Sequence, residues 1–184
     1  LDEERGESSK FFCYAATVAT RSFSRKTDGH GWIGVRMQQN ARTTPSDILV
    51  HVRLFDEENY QQQEALGNLG INLLWACSKC GADFNQVVDS LMDGLSRHRI
   101  EIDVVLFDGP DYEELDNRVI NLSLVEKNLT SAVIFSPKGE VQHASELLYK
   151  RPVILERGKF GPVTSINQEM IDTARKAFAE HLGL

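Results

Sequence analysis

Four side chains in the first third of the chain, Arg21, Arg36, His51 and Arg53, are of types that grip anions, and their spacing can place them together. Alternate residues of a strand share a face. Thr17 and Arg21 therefore fall together on one predicted strand, Arg36 and Gln38 on a second over Trp32–Gln38, and His51 and Arg53 on a third over Asp47–Phe55. Guanidiniums bind phosphates and carboxylates through paired hydrogen bonds, so the expected ligand is small and anionic, nucleotide-like molecules included. Two readings compete: the face is simply solvated or is salt-bridged by Glu64 or the Asp56-Glu57-Glu58 run, or it belongs to a non-catalytic assembly module that docks on an acidic partner. His51, with a reference pKa near neutrality, and Glu64 are the candidate proton carriers. No G-x-S-x-G elbow or Walker lysine accompanies them.

Charge distribution points the same way. Between Lys10 and Arg53 seven Lys/Arg face two acids, a balance of +5, in a chain whose net charge is −7. The rest of the chain therefore sums to −12. Such acidity argues against broad nucleic-acid binding, which rests on neutralising phosphates.

Two motifs invite chemistry and are read structurally. Gly29-His30-Gly31-Trp32-Ile33-Gly34 matches G-x-G-x-x-G letter for letter. In a dinucleotide fold that motif follows a strand and opens a helix, whereas here it leads into a strand. Cys77-Ser78-Lys79-Cys80 has the spacing of half a zinc site, yet a second pair is absent. Cys13 and His30 are the remaining tempting ligands and neither has the sequence spacing of a ligand pair, so no metal set is expected and the residues specify no cofactor. Arg97-His98-Arg99 is expected to complement a helix C-terminus.

The elements that must position these groups follow from periodicity. Phe11–Phe23, Trp32–Gln38 and Asp47–Phe55 predict an antiparallel three-stranded meander. Asn59–Cys77 carries a helical stripe through Gln62, Leu66, Leu69 and Leu73, and Asp83 with Gln86 caps a second helix. A strand over 99–108, a helix through Val119–Val125, a short buried strand over 131–135, a helical turn over 145–150, a strand over 153–157 and a helix opened by Ser165 complete the order. The expected class is α/β (α+β), the meander being followed by alternating helices and strands in a mixed sheet with a parallel crossover in its second half. Residues 1–9 read as a flexible lead-in and 10–184 as a single domain. The chain begins with Leu rather than Met, so an excerpt of a longer protein is expected.

Ala16-Thr17-Val18-Ala19-Thr20-Arg21-Ser22, His30-Gly31-Trp32-Ile33-Gly34-Val35-Arg36, His51-Val52-Arg53 and Gln62-Gln63-Glu64-Ala65-Leu66-Gly67 resemble the middle of a family of longer bacterial and cyanobacterial proteins. Asp116-Asn117-Arg118, Leu155-Glu156-Arg157-Gly158 and Pro162-Val163-Thr164 extend the resemblance over nearly the whole segment. Labels attached to that family, nicotinate-nucleotide adenylyltransferase and TonB-dependent receptor, conflict with these residues. The first implies an H-x-G-H signature, from which His30-Gly31-Trp32 departs; the second implies a membrane barrel, which the amphipathic helices oppose. The resemblance implies no catalytic role. It does imply membership of a larger protein, and a plastid stroma as the alternative to a cytoplasmic location. Three cysteines and no apolar run of about 18–20 residues fit a soluble, reduced protein without membrane insertion.

Overall fold

The computed structural model describes residues 11–21, 29–38, 40, 42–81, 83–148 and 150–183; the lead-in over 1–9 lies outside them. The alternating segments form a four-stranded sheet in the order β1 (Phe11–Ala19), β2 (Gly29–Gln38), β3 (Ser46–Leu54) and β4 (Ile100–Asp108). The α/β class and the N-terminal meander are as expected. The parallel crossover is not: β4 pairs antiparallel with β3, so every pairing among the described strands is antiparallel. The long excursion between β3 and β4 contains two helices, which bring the chain back alongside β3 in the opposite sense.

Period-two geometry decides what each strand buries. Ile33, Val35 and Met37 of β2, Ile48, Val50, Val52 and Leu54 of β3, and Ile100, Ile102 and Val105 of β4 all face one core. Against them lie Leu69, Leu73 and Cys77 of α1 (Asn59–Lys79) and Val87, Val88 and Leu91 of α2 (Phe84–Leu91). Asp83 caps α2 as read from sequence, accepting from the backbone N–H groups of Asn85 and Gln86. The other sheet face carries the polar residues. In β2, Gly31 lies so close to β1 that a Cβ would stand 2.2 Å from the Thr17 carbonyl oxygen, while one on Gly29 would stand 2.5 Å from Gln62 Oε1. Close packing thus accounts for these glycines of the G-x-G-x-x-G match.

The outer edge of β4 is closed by side chains. Asn117 and Asn121 sit one turn apart on α3 (Asn117–Glu126). Asn121 accepts from the N–H of Val105 at 3.0 Å and donates to its carbonyl at 2.6 Å; Asn117 does the same for Phe107 at 2.8 and 2.9 Å. Four helical residues advance about 6 Å and two strand residues about 6.7 Å, so the amides meet the ladder in register. Arg97 donates to the Lys127 carbonyl at the C-cap of α3, not at the helix that precedes it in the chain, and Arg99 pairs with Asp56 and Glu64.

Asp116 caps α3 and is chelated by Arg118, whose hydrogen bonds push its carboxyl down from 3.8 to about 2. A depressed folded pKa gives stability that is present above the unfolded value and lost as pH falls through the folded one. The stability difference between the wild type and Asp116→Asn should therefore be constant at neutral pH and disappear between about pH 4 and pH 2, as measured by urea melts across that window.

Past α3 the expected buried strand over 131–135 shrinks to β5 (Ile134–Phe135), half-buried and paired with β6 (Val141–Gln142) as a small hairpin. Two compact units result, Leu1–His143 and Ala144–Leu184. The second holds α4 (Ala144–Leu148) and α5 (Ser165–Leu182). The strand expected over 153–157 does not form: Val153 and Leu155 are exposed and no ladder partner is described. Thr164, rather than Ser165, caps α5, in a reciprocal box with Asn167, and Gly183 ends it in the left-handed conformation. No described helix is long and apolar enough to cross a membrane.

Candidate metal centre

Three cross-strand rows organise the outer face. Register sets Cys13, Arg36 and Asp47 in one row, Ala15, Gly34 and Leu49 in the next, and Thr17, Trp32 and His51 in the third. Arg36, His51 and Arg53 do share this face, as alternation predicts. Their neutralisation comes from adjacent strands and not from Glu64 or the 56–58 run. Arg36 donates from Nε and Nη2 to both oxygens of Asp47, at 2.8 and 2.7 Å, which holds the Asp47 carboxyl below its usual value. Arg53 meets Glu101 at 3.0 Å, and Glu101 also accepts from Thr130 at 2.7 Å. Arg21 is not on the sheet face; it lies past the end of β1, where its backbone N–H donates to Gln62 Oε1 at 2.7 Å. Glu64 pairs with Arg99, itself held by Asp56, and is no part of the His51 cluster.

His51 is the expected residue with the most unusual setting. It is 1% exposed on a polar sheet face. Its Nδ1 lies 2.6 Å from Asp103 Oδ1, and His143 Nε2 lies 3.4 Å from Asp103 Oδ2. The two imidazole centroids are 3.7 Å apart, and Trp32 stands edge-on to His51 at 5.0 Å. An ionised carboxylate can only accept, so the proton of the shorter contact sits on His51 Nδ1.

A β-bulge aims Asp103. His51 pairs with Val104 but Val52 pairs with Ile102, so Asp103 is the extra residue of β4. Bulges redirect side chains and recur beside active sites. Here the bulge keeps Asp103 on the outer face while switching the core face from Ile100 and Ile102 to Val105 and Phe107. His143 arrives by another route: it follows β6, so the hairpin return sets its ring over His51.

Sequence reading missed both Asp103 and His143. The doublet Val104-Val105 interrupts the alternation of Ile100–Asp108 and is the one local signal of a bulge; His143 has no comparable local sign. Cys77 and Cys80 carry no such constellation. Burial pushes the Cys77 thiol up to about 12, leaving it protonated and inert. Among the described residues, the one group of His, Cys, Asp or Glu with donor atoms all within 4.8 Å is His51, Asp103 and His143.

Two imidazoles and a carboxylate are a borderline donor set suited to zinc and its first-row neighbours. With bonds near 2.05 Å, ligand atoms on a tetrahedral ion stand about 3.3 Å apart, and the His143–Asp103 separation of 3.4 Å matches this. The 2.6 Å contact of His51 is a hydrogen bond, so a cation would replace its proton and move the ring back by about 0.7 Å. No family model, curated protein or solved structure matches this chain.

Proposed function

We propose that this protein binds one divalent transition-metal ion, zinc foremost, through His51, Asp103 and His143. The observation that carries the reading is the convergence of two buried imidazoles on the carboxylate of a bulged residue. Three protein ligands are the number found in catalytic zinc sites, which keep a fourth position for water or substrate. The chemistry supplied there is Lewis-acid polarisation of an oxygen ligand and activation of bound water.

An anionic ligand remains part of this reading, by a different route. The guanidiniums of Arg36 and Arg53 are occupied by Asp47 and Glu101. A carboxylate or phosphate would be drawn instead to the cation. The Asp103 carboxylate between the two imidazoles favours a cation at this end of the face.

Metal titration tests the proposal. Chelator-treated protein is expected to take up one equivalent of zinc, and of cobalt with the visible absorption of a tetrahedral ion. Free zinc at 100 times its dissociation constant should stabilise the fold by about 2.7 kcal/mol, reversed by chelator. Absence of stoichiometric uptake by either metal refutes the centre.

A further inference from the structure

We infer that the outer edge of β1 is a self-association surface, where a second copy of this chain pairs antiparallel across a two-fold axis through Ala15. The pairing needs no metal. Among the described strands β1 pairs with β2 alone, so its other side is an edge of the sheet. Proteins blunt such edges with charge, proline, bulges or a cover, because an open row of backbone groups is a template for another strand. The two edges of this sheet differ in that respect. At β4 the amides of Asn117 and Asn121 occupy the backbone groups. The nine residues of β1 include no charged residue and no proline, and their ladder with β2 runs without a bulge.

Burial shows what β1 lacks. Phe12 and Val18 pack against the core, and Tyr14 and Ala16 share their face. A Cβ on Gly70 of α1 would stand 2.8 Å from the Tyr14 hydroxyl, so α1 lies against this face. Yet Tyr14 is 38% exposed and Ala16 is exposed as well, and α1 leaves Ile71 and Leu74 exposed on nearby turns. The core layer beneath β1 is incompletely covered.

Two properties make a second copy the occupant. The strand complements itself: with Ala15 facing its own counterpart, Tyr14 stands opposite Ala16 and Phe12 opposite Val18, a large residue against a smaller one each time, and no like charges meet. The size also fits. β1 and α1 are each roughly 30 Å long and about 10 Å thick, so the two layers present an edge of about 600 Å² in projection, close to the roughly 800 Å² per partner of a standard interface. Because α1 touches both Gly29 of β2 and Tyr14 of β1, it would run two to three strand spacings from its counterpart, about 10–14 Å, a gap for Tyr14 and Leu74 of both copies. A foreign extended peptide would pair with β1 but bring no second helix to cover these residues.

Sedimentation equilibrium of the chelator-treated chain across the micromolar range is expected to show a dimer, with a dissociation constant at or below micromolar, as for interfaces of this kind. Ala15→Lys sets two ammonium groups against each other from an exposed position and should weaken the dimer at least about tenfold, with an unchanged circular-dichroism spectrum. Ala15→Cys, in a Cys13→Ser and Cys80→Ser background, reads the register. Directly opposed strand residues have Cα atoms about 4.5–5.5 Å apart, within the span of a disulfide, so mild oxidation should yield a covalent dimer. A chain that stays monomeric throughout the range overturns the pairing and leaves the edge to an extended segment of this chain or of another protein. A dimer of unchanged affinity in Ala15→Lys overturns it too, as does a folded Ala15→Cys dimer that forms no cross-link.

Discussion

Asp103→Asn should weaken zinc binding at least about 100-fold, since losing a group that merely orients a ligand through a hydrogen bond already costs 10–100-fold, while the apo fold keeps its stability to within about 1 kcal/mol. The carboxylate is the one negative charge placed between the two imidazoles, and its oxygens face His51 Nδ1 and His143 Nε2 separately. A carboxamide of the same shape still accepts from His51 Nδ1–H through its oxygen, so the hydrogen bond that orders the metal-free site survives. It turns an N–H donor toward His143, however, and presents no charge to a cation. The fall in affinity should therefore be accompanied by an unchanged circular-dichroism spectrum and urea midpoint. A variant that retains zinc within tenfold of wild type would show Asp103 to be a positioning group for His51 and not a ligand. A variant that unfolds would mark the carboxylate as a structural tie; Asp103→Glu would then separate the cases, because it keeps the charge and shifts the donor by one methylene.

The alternating residues of β2 and β3 made half of this site legible in the sequence. Trp32–Gln38 and Asp47–Phe55 carry an unbroken period of two, and that period alone puts Arg36, His51 and Arg53 on a common face. What it does not carry is the identity of the residues opposite. Asp47 lies across from Arg36, and Glu101 across from Arg53, only because of pairings set by the connection over 39–45 in one case and the helical excursion over 55–99 in the other. The balance of +5 between Lys10 and Arg53 already counts Asp47, which holds Arg36, while Glu101, which holds Arg53, lies outside that window and one strand away. Arg21 fell to a different cause. The apolar, β-branched run continues past Ala19 as pattern, but the strand does not, and Gln62 takes up the next backbone N–H instead.

The same physics explains why the metal ligands were the hardest residues to foresee. A bulge breaks the periodicity by which strand faces are assigned, so Asp103 looks like one more outward acid of an alternating strand. His143 sits after a strand of two residues, too short for any pattern. Both irregularities cost ladder hydrogen bonds, and irregular features of this kind persist where the surrounding structure holds them for a purpose. The regular strands form the scaffold, and the departures from regularity bring the donors together.

Asn121→Leu is expected to cost about 2–6 kcal/mol, because it orphans both the N–H and the carbonyl of Val105 in a buried setting, each at about 1–3 kcal/mol. Asn121 is fully buried, and its amide is the ladder partner that an additional strand would otherwise supply. Leucine has the same branching and is the larger side chain, so no cavity forms and the loss reports on polar satisfaction together with some overpacking. Asn121→Asp provides the matching control. It keeps an acceptor for the Val105 N–H but sets a second oxygen against the Val105 carbonyl, so it should be at least as damaging as leucine at neutral pH. Urea melts at constant m-value would measure both, against a total stability for such a domain of about 5–15 kcal/mol. A loss below 1 kcal/mol would mean that water reaches the β4 edge once the amide is gone, and that Ile120, Leu124 and the Asn117 bonds to Phe107 suffice to hold α3. The expected loss bears on the metal centre as well, since the backbone that Asn121 holds begins two residues after Asp103. Releasing it should loosen the bulge, so that zinc affinity and fold stability decline together in Asn121→Leu while Asp103→Asn separates them.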